Sequence, residues 1–415
     1  MYISKIHLQN IRGFRPLELA CQSNHTLIIG KNGTGKTTLL RAIALGLSPE
    51  EDGRALLAEP IGEMATYSEK INFGSVGLEL SSPERDSNRE VVISRIVNTL
   101  ESGKGTTGEK INGRKWVNSP LPERWDKRKG KIVVVGYGPG RSYAGSEAKS
   151  GYRLRDSVLS LFNYRTSLLS PELTLRRLRD YFEKAHYETT LERIKYSLDL
   201  GAEDKIHFLE KGGIGLSGPT LGRQIPLEAW ADGYRLTFTW LIDLYGWAMQ
   251  ADSIDKTGNV HGIVLIDEIE QHLHPSLQTG ILPRLKEILP FVQIIATTHS
   301  PLVALGTSPE NLVVLRREDD KVVREMFVPD IRGYSVEDML VEERLFNTPE
   351  VYSPETNRKL AEYQALVEIP KEKRDAEQAS RLRILARELQ EQQVPEVRQP
   401  SFDPALKALL EKYAS

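Results

Sequence analysis

The chain has 415 residues, of which 40% are hydrophobic and 27% charged, and its formal net charge is −2. This composition is typical of globular proteins with a sizeable core, and the near-neutral charge argues against a uniformly basic nucleic-acid binder. The single cysteine, Cys21, excludes an intramolecular disulfide and favours a reducing, cytoplasmic setting. No apolar run approaches the roughly 18 residues of a membrane span, and Met1–Ile6 predicts a strand rather than a signal peptide.

The stretch from Leu27 to Leu40 combines a short apolar run, a glycine-rich loop and the start of an apolar helix. The loop has the spacing G-x-x-x-x-G-K-T, which in this setting is typical of a phosphate-binding loop. Glycines let backbone N–H groups converge on phosphate oxygens, and the helix N-terminus adds partial positive charge. We expect Lys36 to reach the β- and γ-phosphates and the Thr37 hydroxyl to ligate Mg²⁺. The predicted nucleotide contacts are Gly30, Lys31, Asn32, Gly33, Thr34, Gly35, Lys36, Thr37 and Thr38.

Apolar runs predict three further strands after the phosphate-loop helix. They cover residues 71–80, 90–98 and 131–136, with a hairpin loop at 103–113 that leads to Trp116. The first two are typical of antiparallel strands, and the third is typical of a buried strand in a parallel sheet. The third strand runs into the turn Gly138–Arg141 at its carboxyl end, where ligands gather in α/β sheets. Arg141 therefore contacts a nucleotide, faces a partner protomer or simply closes the turn.

Residues 142–204 change to helical periodicity, which predicts a compact helical insertion. Its apolar positions include Tyr181 and Tyr196, which we expect on the buried faces of two helices. The insertion also carries a basic face, which is either an ordinary solvated surface or a DNA contact. This face contains Arg176, Arg177, Arg179, Arg193 and Lys195, and a second basic cluster contains Arg124, Lys127, Arg128, Lys129 and Lys131.

A second turn–helix junction follows short predicted strands within residues 205–228. The turn Trp230–Arg235 opens a helix that is rich in leucine and aromatic residues. Such a turn exposes N–H groups and the helix dipole to an anion, although many ordinary helices begin in the same way.

The run Ile263–Ile266 predicts a buried strand that ends in two carboxylates, Asp267 and Glu268. Adjacent acids at the end of a buried strand are unfavourable unless positive charge meets them, and Mg²⁺ with ATP supplies such charge. We expect Asp267 to hold Mg²⁺, directly or through water. We expect Glu268 to orient and deprotonate the attacking water.

Three histidines follow the acid pair. His272 and His274 are two residues apart, which invites a metal interpretation, but no third convergent ligand is evident. His299 follows the predicted buried strand 292–297, in the string Thr-His-Ser-Pro. A histidine at the end of a strand is either structural or placed to sense a bound phosphate.

These elements occur in an order that resembles the ABC-type ATPases of the SMC, RecF and OLD group. The order comprises Asn10-Ile11-Arg12, the phosphate loop, the Trp230–Arg235 turn, the acid pair and His299. The resemblance implies that Arg12 lies beside the nucleotide, the alternative being a solvated loop arginine. It also implies that His299 is the switch histidine that reads the γ-phosphate. No residue matches the family's Q-loop glutamine.

The same resemblance gives the Trp230–Arg235 turn a role across a dimer. In this family the signature Leu-Ser-Gly-Gly-Gln binds the γ-phosphate held by the other protomer, which implies nucleotide contacts for Ala231, Asp232, Gly233 and Tyr234. Here Ala231 replaces the serine and Asp232 the first glycine, which puts the hydrolysis rate in doubt. The loop Glu270–Pro275 resembles the family segment that crosses the dimer interface.

The last part of the sequence predicts a hairpin followed by helices. Residues 312–315 and 322–326 form the hairpin, and Gly333–Leu340 is similar to a segment of PtuA-like ATPases of bacterial anti-phage defence. Residues 371–393 carry a helical stripe of Leu382, Leu385 and Leu389. A final amphipathic helix, with Leu406, Leu409, Leu410 and Tyr413, packs on its own core or docks a partner.

We therefore predict an α/β, ABC-type P-loop ATPase with a mixed sheet, a short helical insertion and a C-terminal helical tail. The predicted domains are an N-terminal ATPase half (1–141), the insertion (142–204), a C-terminal ATPase half (205–332) and the tail (333–415). We expect a head-to-tail homodimer or higher even oligomer that binds ATP and Mg²⁺ and controls a separate effector, such as a nuclease or toxin. The alternatives are a RecF-like DNA-repair ATPase and a slowly hydrolysing, ATP-bound scaffold.

Overall fold

The computed structural model describes residues 1–64, 73–81, 91–98, 106–108, 132–141, 144–146, 151–210, 212–219, 224–348, 352–392 and 394. The strands are β1 (Tyr2–Gln9), β2 (Leu17–Ala20), β3 (His25–Ile29), β4 (Phe73–Ser81), β5 (Val91–Asn98), β6 (Thr106–Gly108), β7 (Val133–Tyr137), β8 (Ala144–Ser146), β9 (Leu168–Leu169), β10 (Lys205–Phe208), β11 (Ile214–Ser217), β12 (Ile225–Pro226), β13 (Gly262–Ile266), β14 (Val292–Thr297), β15 (Leu312–Glu318) and β16 (Lys321–Arg324). The helices are α1 (Lys36–Leu47), α2 (Glu50–Leu57), α3 (Leu154–Val158), α4 (Pro171–Tyr181), α5 (Lys184–Ser197), α6 (Asp232–Gln250), α7 (Pro275–Gln278), α8 (Ile281–Ile288), α9 (Pro301–Leu305), α10 (Val336–Val341), α11 (Pro354–Glu368) and α12 (Ala376–Glu391).

A six-stranded sheet forms the centre of the fold, in the order β16-β15-β3-β14-β13-β7. The strands β15, β3, β14, β13 and β7 are parallel, and only β16 pairs antiparallel, with β15. Every residue of β3, β7, β13 and β14 is buried, as expected for parallel strands covered on both faces. The predicted buried strand at 263–266 is therefore confirmed as β13, and the one predicted at 131–136 is observed as β7, with residue 131 outside the described residues.

Side chains of the central strands alternate between two apolar clusters, one on each face of the sheet. Ile28 and Val134 belong to the cluster that contains α1, β1 and β4, whereas Leu27 and Val133 belong to the cluster that contains α6 and α8. This alternation follows from the two-residue period of a strand. The phosphate-loop helix α1 and the long helix α6 thus pack on opposite faces.

A second, antiparallel sheet has the order β2-β1-β4-β5-β6. The predicted antiparallel pair is confirmed, because β4 and β5 pair in the register Leu78↔Ile93. Smaller sheets join β10, β11 and β12, and join β8 to β9 in parallel. The mixed parallel and antiparallel pairing matches the predicted fold class. Trp116 and the second basic cluster lie outside the described residues.

Residues 151–204 contain the helices α3, α4 and α5. The apolar side chains of α4 and α5 join the α6 cluster, whereas Leu154 and Val158 of α3 belong to the α1 cluster. Two expectations for this segment are wrong in detail. Tyr181 and Tyr196 are 49% and 46% exposed, because a tyrosine at the margin of an apolar stripe keeps its hydroxyl end in water. The predicted basic face is not one open surface, since the Lys195 side chain is buried and its ammonium pairs with Glu192 at 2.9 Å.

The described residues fall into two compact units. The first holds Met1–Met339 and Arg344–Phe346, and the second holds Leu340–Glu343 and the residues from Asn347 onward. Leu345 is 3% exposed and belongs to the α6 cluster of the first unit.

The second unit contains the paired helices α11 and α12. Helix α12 begins with a capping box, in which the Asp375 carboxylate accepts from the Gln378 N–H. On the predicted stripe, Leu385 and Leu389 are fully buried, and Leu382 is half-buried. The predicted final amphipathic helix lies outside the described residues. In the part of the chain that the structure describes, no helix is both long enough and apolar enough to cross a membrane.

Candidate functional site

The predicted site residues follow three neighbouring parallel strands. The phosphate loop follows β3, the acid pair follows β13 and His299 follows β14, in the sheet order β3-β14-β13. Because the carboxyl ends of parallel strands meet at one edge of the sheet, these segments converge.

The phosphate loop leaves the first turn of α1 open to an anion. Helix α1 begins at Lys36 after Gly35, and no side chain caps its N-terminus. Gly33 and Gly35 have positive φ angles of 80° and 83°, which glycine adopts without strain. Lys31, Asn32 and Gly33 are exposed on the loop, and the Thr34 hydroxyl donates to the Lys31 carbonyl at 2.9 Å. The N–H groups at the start of α1 can therefore bind phosphate oxygens.

Gly35 is required for a second reason, which gives a stability prediction. A Cβ at Gly35 would lie 2.9 Å from the buried Phe14 ring, whereas a Cβ at Gly33 would have no neighbour within 4 Å. We expect Gly35→Ala to lower the free energy of unfolding by about 2–4 kcal/mol, from backbone strain plus overpacking. The matched control, Gly33→Ala, should lose only about 1 kcal/mol from strain. Urea unfolding of the nucleotide-free protein measures both, and equal losses would contradict the Phe14 contact.

Lys36 folds back over the loop. Its ammonium donates to the carbonyls of Gly30 at 2.6 Å and Lys31 at 3.2 Å. Burial lowers the pKa of Lys36 to about 8, and the nearby Asp267 and Glu268 partly oppose this change. An anionic phosphate at the loop would favour the charged form, so Lys36 is suited to bind one.

Thr37 and Asp267 meet, although 230 residues separate them in the sequence. The Thr37 hydroxyl donates to Asp267 Oδ2 at 2.6 Å, and the Thr297 hydroxyl donates to Oδ1 at 2.6 Å. Thr37 and Asp267 thus present two adjacent hard oxygen donors of the kind that Mg²⁺ prefers, and Mg²⁺ commonly completes its shell with water and substrate phosphate. Within the described ranges, no group of three His, Cys, Asp or Glu side chains is arranged to hold a metal ion.

Glu268 is held in an unusual backbone conformation beside Asp267. Its φ is +49°, in the left-handed region that few residues other than glycine adopt. Its N–H donates to the Thr297 hydroxyl at 2.9 Å. Burial raises the pKa of the Glu268 carboxyl, and the carboxylates of Asp267 and Glu270 raise it further. A raised pKa suits a carboxylate to accept a proton.

Arg141 closes its turn and also binds the acid pair. It is 4% exposed, and its guanidinium donates to the carbonyls of Gly138, Asp267 and Glu268 at 3.1, 2.6 and 2.7 Å. Burial lowers its pKa to about 10, and the Asp267 charge opposes this. Of the three alternatives at the sequence level, turn closure is the one observed, and the contacts with Asp267 and Glu268 were not predicted.

We expect Arg141→Lys to slow the predicted ATP hydrolysis about 10- to 100-fold, because a lysine cannot bind two carbonyls in the fixed geometry of a guanidinium. ATP affinity should change less than about threefold, since the phosphate loop is untouched. The matched control is Arg41→Lys, because Arg41 is also buried and donates to a carbonyl, that of Leu161, at 2.6 Å. A steady-state assay should show the loss in kcat only for the Arg141 variant.

Glu270 positions the segment that carries His299. Its carboxylate accepts from the Thr298 hydroxyl at 2.7 Å and from the His299 N–H at 2.6 Å. Burial lowers the pKa of the half-buried His299 imidazole, and the positive charge of Lys36 lowers it further. His299 therefore lies within the electrostatic reach of Lys36, and both effects favour the neutral imidazole. No sequence motif predicted this role of Glu270.

Arg12 lies against the first turn of α1. Its guanidinium donates to the Thr38 hydroxyl at 3.1 Å, to the Glu63 carbonyl at 2.9 Å and to the Ile61 carbonyl. These contacts place Arg12 beside the phosphate-loop helix rather than in a freely solvated loop.

The start of α6 is exposed and lacks a side-chain cap. Ala231 and Asp232 are exposed, and Asp232 pairs with Arg235 at 2.7 Å. A Cβ at Gly233 would lie 2.6 Å from the His272 carbonyl, so this glycine allows the α6 start to pack on the loop after the acid pair.

Two family models and several known proteins match parts of this chain in sequence. A family model described as "AAA domain" matches residues 5–128, and a second AAA domain model, whose description also names AbiEii toxin and Type IV TA system, matches residues 232–305. The chain is 27% identical to Septu protein PtuA of Bacillus mycoides, over 82% of this chain and 44% of the relative. It is 33% identical to the "Retron Vc95 probable ATPase" of Vibrio cholerae, over 28% of this chain and 22% of the relative.

The fold itself has a solved counterpart. The structure entitled "Crystal structure of the SmcHead bound to the C-winged helix domain of ScpA" aligns with 78% of this chain and 97% of that chain. The TM-score is 0.53 and the identity is 18%, so this likeness concerns the fold alone. The chain spans less than half the length of the curated relatives described above. Taken together, the chain has the fold of an SMC head and is similar in sequence to Septu protein PtuA and to a retron probable ATPase.

Proposed function

We propose that the chain binds ATP with Mg²⁺ at the edge of the central sheet and hydrolyses it. The observation that carries this proposal is the 2.6 Å contact between the Thr37 hydroxyl and Asp267, directly beside Lys36. Relatives named as ATPases and two AAA domain matches support it.

Each residue of the site has a separate task in this proposal. Lys36 and the N–H groups at the start of α1 bind the phosphates. Thr37 and Asp267 hold Mg²⁺, which when bound neutralises phosphate charge. Glu268 orients a water and accepts its proton, and His299 contacts the terminal phosphate. Arg141 keeps the Glu268 backbone in place.

The exposed start of α6 supports a head-to-tail dimer. Its N–H groups have no side-chain cap, and Ala231 and Asp232 are exposed. In the proposed dimer, Ala231–Tyr234 of each chain cover the ATP bound by the other, so two composite sites form. The negative charge of Asp232 is partly neutralised by Arg235, which lowers its repulsion of a phosphate.

The biological setting is proposed from the relatives. The likeness to Septu protein PtuA and to a retron ATPase supports a role in anti-phage defence, in which ATP-dependent closure of the dimer controls a separate effector such as a nuclease or toxin. A direct DNA-binding role is less well supported, because Lys195 of the predicted basic face is buried and paired.

Three measurements test the proposal. Purified protein should release phosphate from ATP in the presence of Mg²⁺, and chelation of the metal should abolish this release. Sedimentation should show a dimer with a non-hydrolysable ATP analogue and a smaller species without nucleotide. Purification from the native operon should yield a second protein. Anti-phage defence by this chain without a second protein would refute the control of an effector. A structure in which one chain alone encloses the nucleotide would refute the dimer.

A further inference from the structure

Helix α6 carries a buried carboxylate that core packing does not explain. Asp243 is 1% exposed and lies in a helix whose other buried residues are mostly apolar. Burial raises its pKa to about 7, and hydrogen bonds from Leu169 and Tyr137 oppose this rise. A buried acid destabilises a fold unless its oxygens are satisfied, so its partners indicate what it holds in place.

The two oxygens of Asp243 bind two different strands. Oδ1 accepts from the Leu169 N–H at 2.8 Å. Oδ2 lies 2.9 Å from the hydroxyl of Tyr137, which is fully buried and also lies 2.9 Å from the Trp240 carbonyl on α6. One carboxylate therefore anchors the ends of β7 and β9 to α6.

These strand ends flank the turn that carries Arg141. Tyr137 directly precedes Gly138–Arg141, and β9 pairs through Leu169 with Ser146 of β8, which follows that turn. Asp243 thus fixes the chain on both sides of the turn.

The Gly138–Arg141 turn is hydrogen-bonded to the acid pair. Arg141 donates to the carbonyls of Asp267 and Glu268, and the Asp267 N–H donates to the Tyr137 carbonyl at 2.8 Å. A continuous set of hydrogen bonds therefore joins α6 to the proposed catalytic acids of the same chain. Such a connected, buried network can transmit a displacement of one rigid element to another.

We propose that Asp243 is a positioning residue that couples the start of α6 to the acid pair of its own chain. The inference rests on the proposed dimer, in which the start of α6 covers the nucleotide of the partner. Asp243 lies 11 residues from Asp232 on one helix, about 16 Å along its axis. Docking of the partner's nucleotide at one end of α6 moves the Arg141 turn, and hydrolysis at the two composite sites is therefore linked.

Mixed dimers test this link. Wild-type chains are mixed with a saturating excess of Lys36→Ala chains, whose phosphate loops hold no nucleotide. The start of α6 in each wild-type chain then meets an empty loop, and turnover per wild-type site should fall about fivefold or more. The same experiment is repeated with Tyr137→Phe in the chains that keep Lys36, which removes the hydrogen bond to Asp243. Turnover per site should then be the same whether or not the Lys36→Ala chains are present.

The matched control is Tyr245→Phe on the same helix. Tyr245 is also fully buried, but its hydroxyl bonds to Arg193, away from the Arg141 turn. This variant should keep the wild-type dependence on the partner's nucleotide. Asp243→Ala, which removes both oxygens, should behave like Tyr137→Phe, and thermal unfolding establishes which variants are folded.

The outcomes separate this inference from the proposed function. Wild-type dependence on the partner's nucleotide in folded Tyr137→Phe or Asp243→Ala would overturn the coupling. A wild-type turnover that ignores the partner's nucleotide would also overturn it, while leaving the ATPase intact. A wild-type protein that neither hydrolyses ATP nor forms ATP-dependent dimers would instead reject the proposed function.

Discussion

Replacing Glu268 with glutamine is expected to slow ATP hydrolysis about 10³-fold while leaving ATP binding intact. An amide of the same shape cannot accept a proton from water, and a positioned general base commonly contributes about 10² to 10⁴ in rate. The phosphate loop and the Thr37–Asp267 contact are unchanged, so ATP-bound dimers should accumulate. Single-turnover hydrolysis gives the rate, and sedimentation with ATP gives the dimer fraction.

Glu270→Gln is the matched comparison for this prediction. Glu270 is a neighbouring carboxylate, but it acts by accepting hydrogen bonds from Thr298 and His299. An amide oxygen keeps part of that capacity, so we expect a loss of only about tenfold. Equal turnover in wild-type and Glu268→Gln proteins would remove Glu268 as the base and favour the slowly hydrolysing scaffold, which Ala231 in the signature position also suggests.

Replacing Lys36 with alanine is expected to weaken ATP binding at least about 10²-fold and to abolish measurable turnover. The variant loses the ammonium that would pair with the β- and γ-phosphates, and a hydrogen bond between charged groups contributes about 1.5–3 kcal/mol. Titration of a fluorescent ATP analogue measures the affinity, and thermal unfolding establishes that the variant is folded.

Lys31→Ala is the control for charge on the same loop. The Lys31 side chain is exposed, and the loop uses only its carbonyl, as an acceptor for Lys36 and Thr34. ATP affinity should therefore change less than about threefold. If the two lysine variants lost affinity equally, the effect would be one of general charge rather than of the buried Lys36 ammonium.

The sequence predicts best where one contiguous segment contains both a motif and its strand. The apolar runs before Gly30 and Asp267 predict buried parallel strands, and the structure places both runs in the central sheet. Because these strands are parallel neighbours of β14, the convergence of Thr37, Asp267 and His299 follows from topology. The roles of these residues in catalysis stay predictions until the variants are measured.

The remaining site residues act through main-chain groups, which leave little trace in a sequence. Arg141 binds the carbonyl of Asp267, 126 residues away, and Glu270 binds the N–H of His299. Any residue type offers such a carbonyl or N–H, so no motif marks the partner. Asp243 is hidden for another reason: periodicity places apolar residues in a core but does not show which acid is buried among them.

The interleaved boundary between the two units limits how this protein can be trimmed. The chain leaves the first unit after Met339 and returns for Arg344–Phe346 before it leaves again. A shortened version that ends at Met339 would lack the buried Leu345 and leave a cavity in the core of the first unit. We expect this cavity to lower the free energy of unfolding by about 2–5 kcal/mol. A shortened version that ends at Phe346 keeps Leu345 in the core, so a truncation should retain every residue of the first unit.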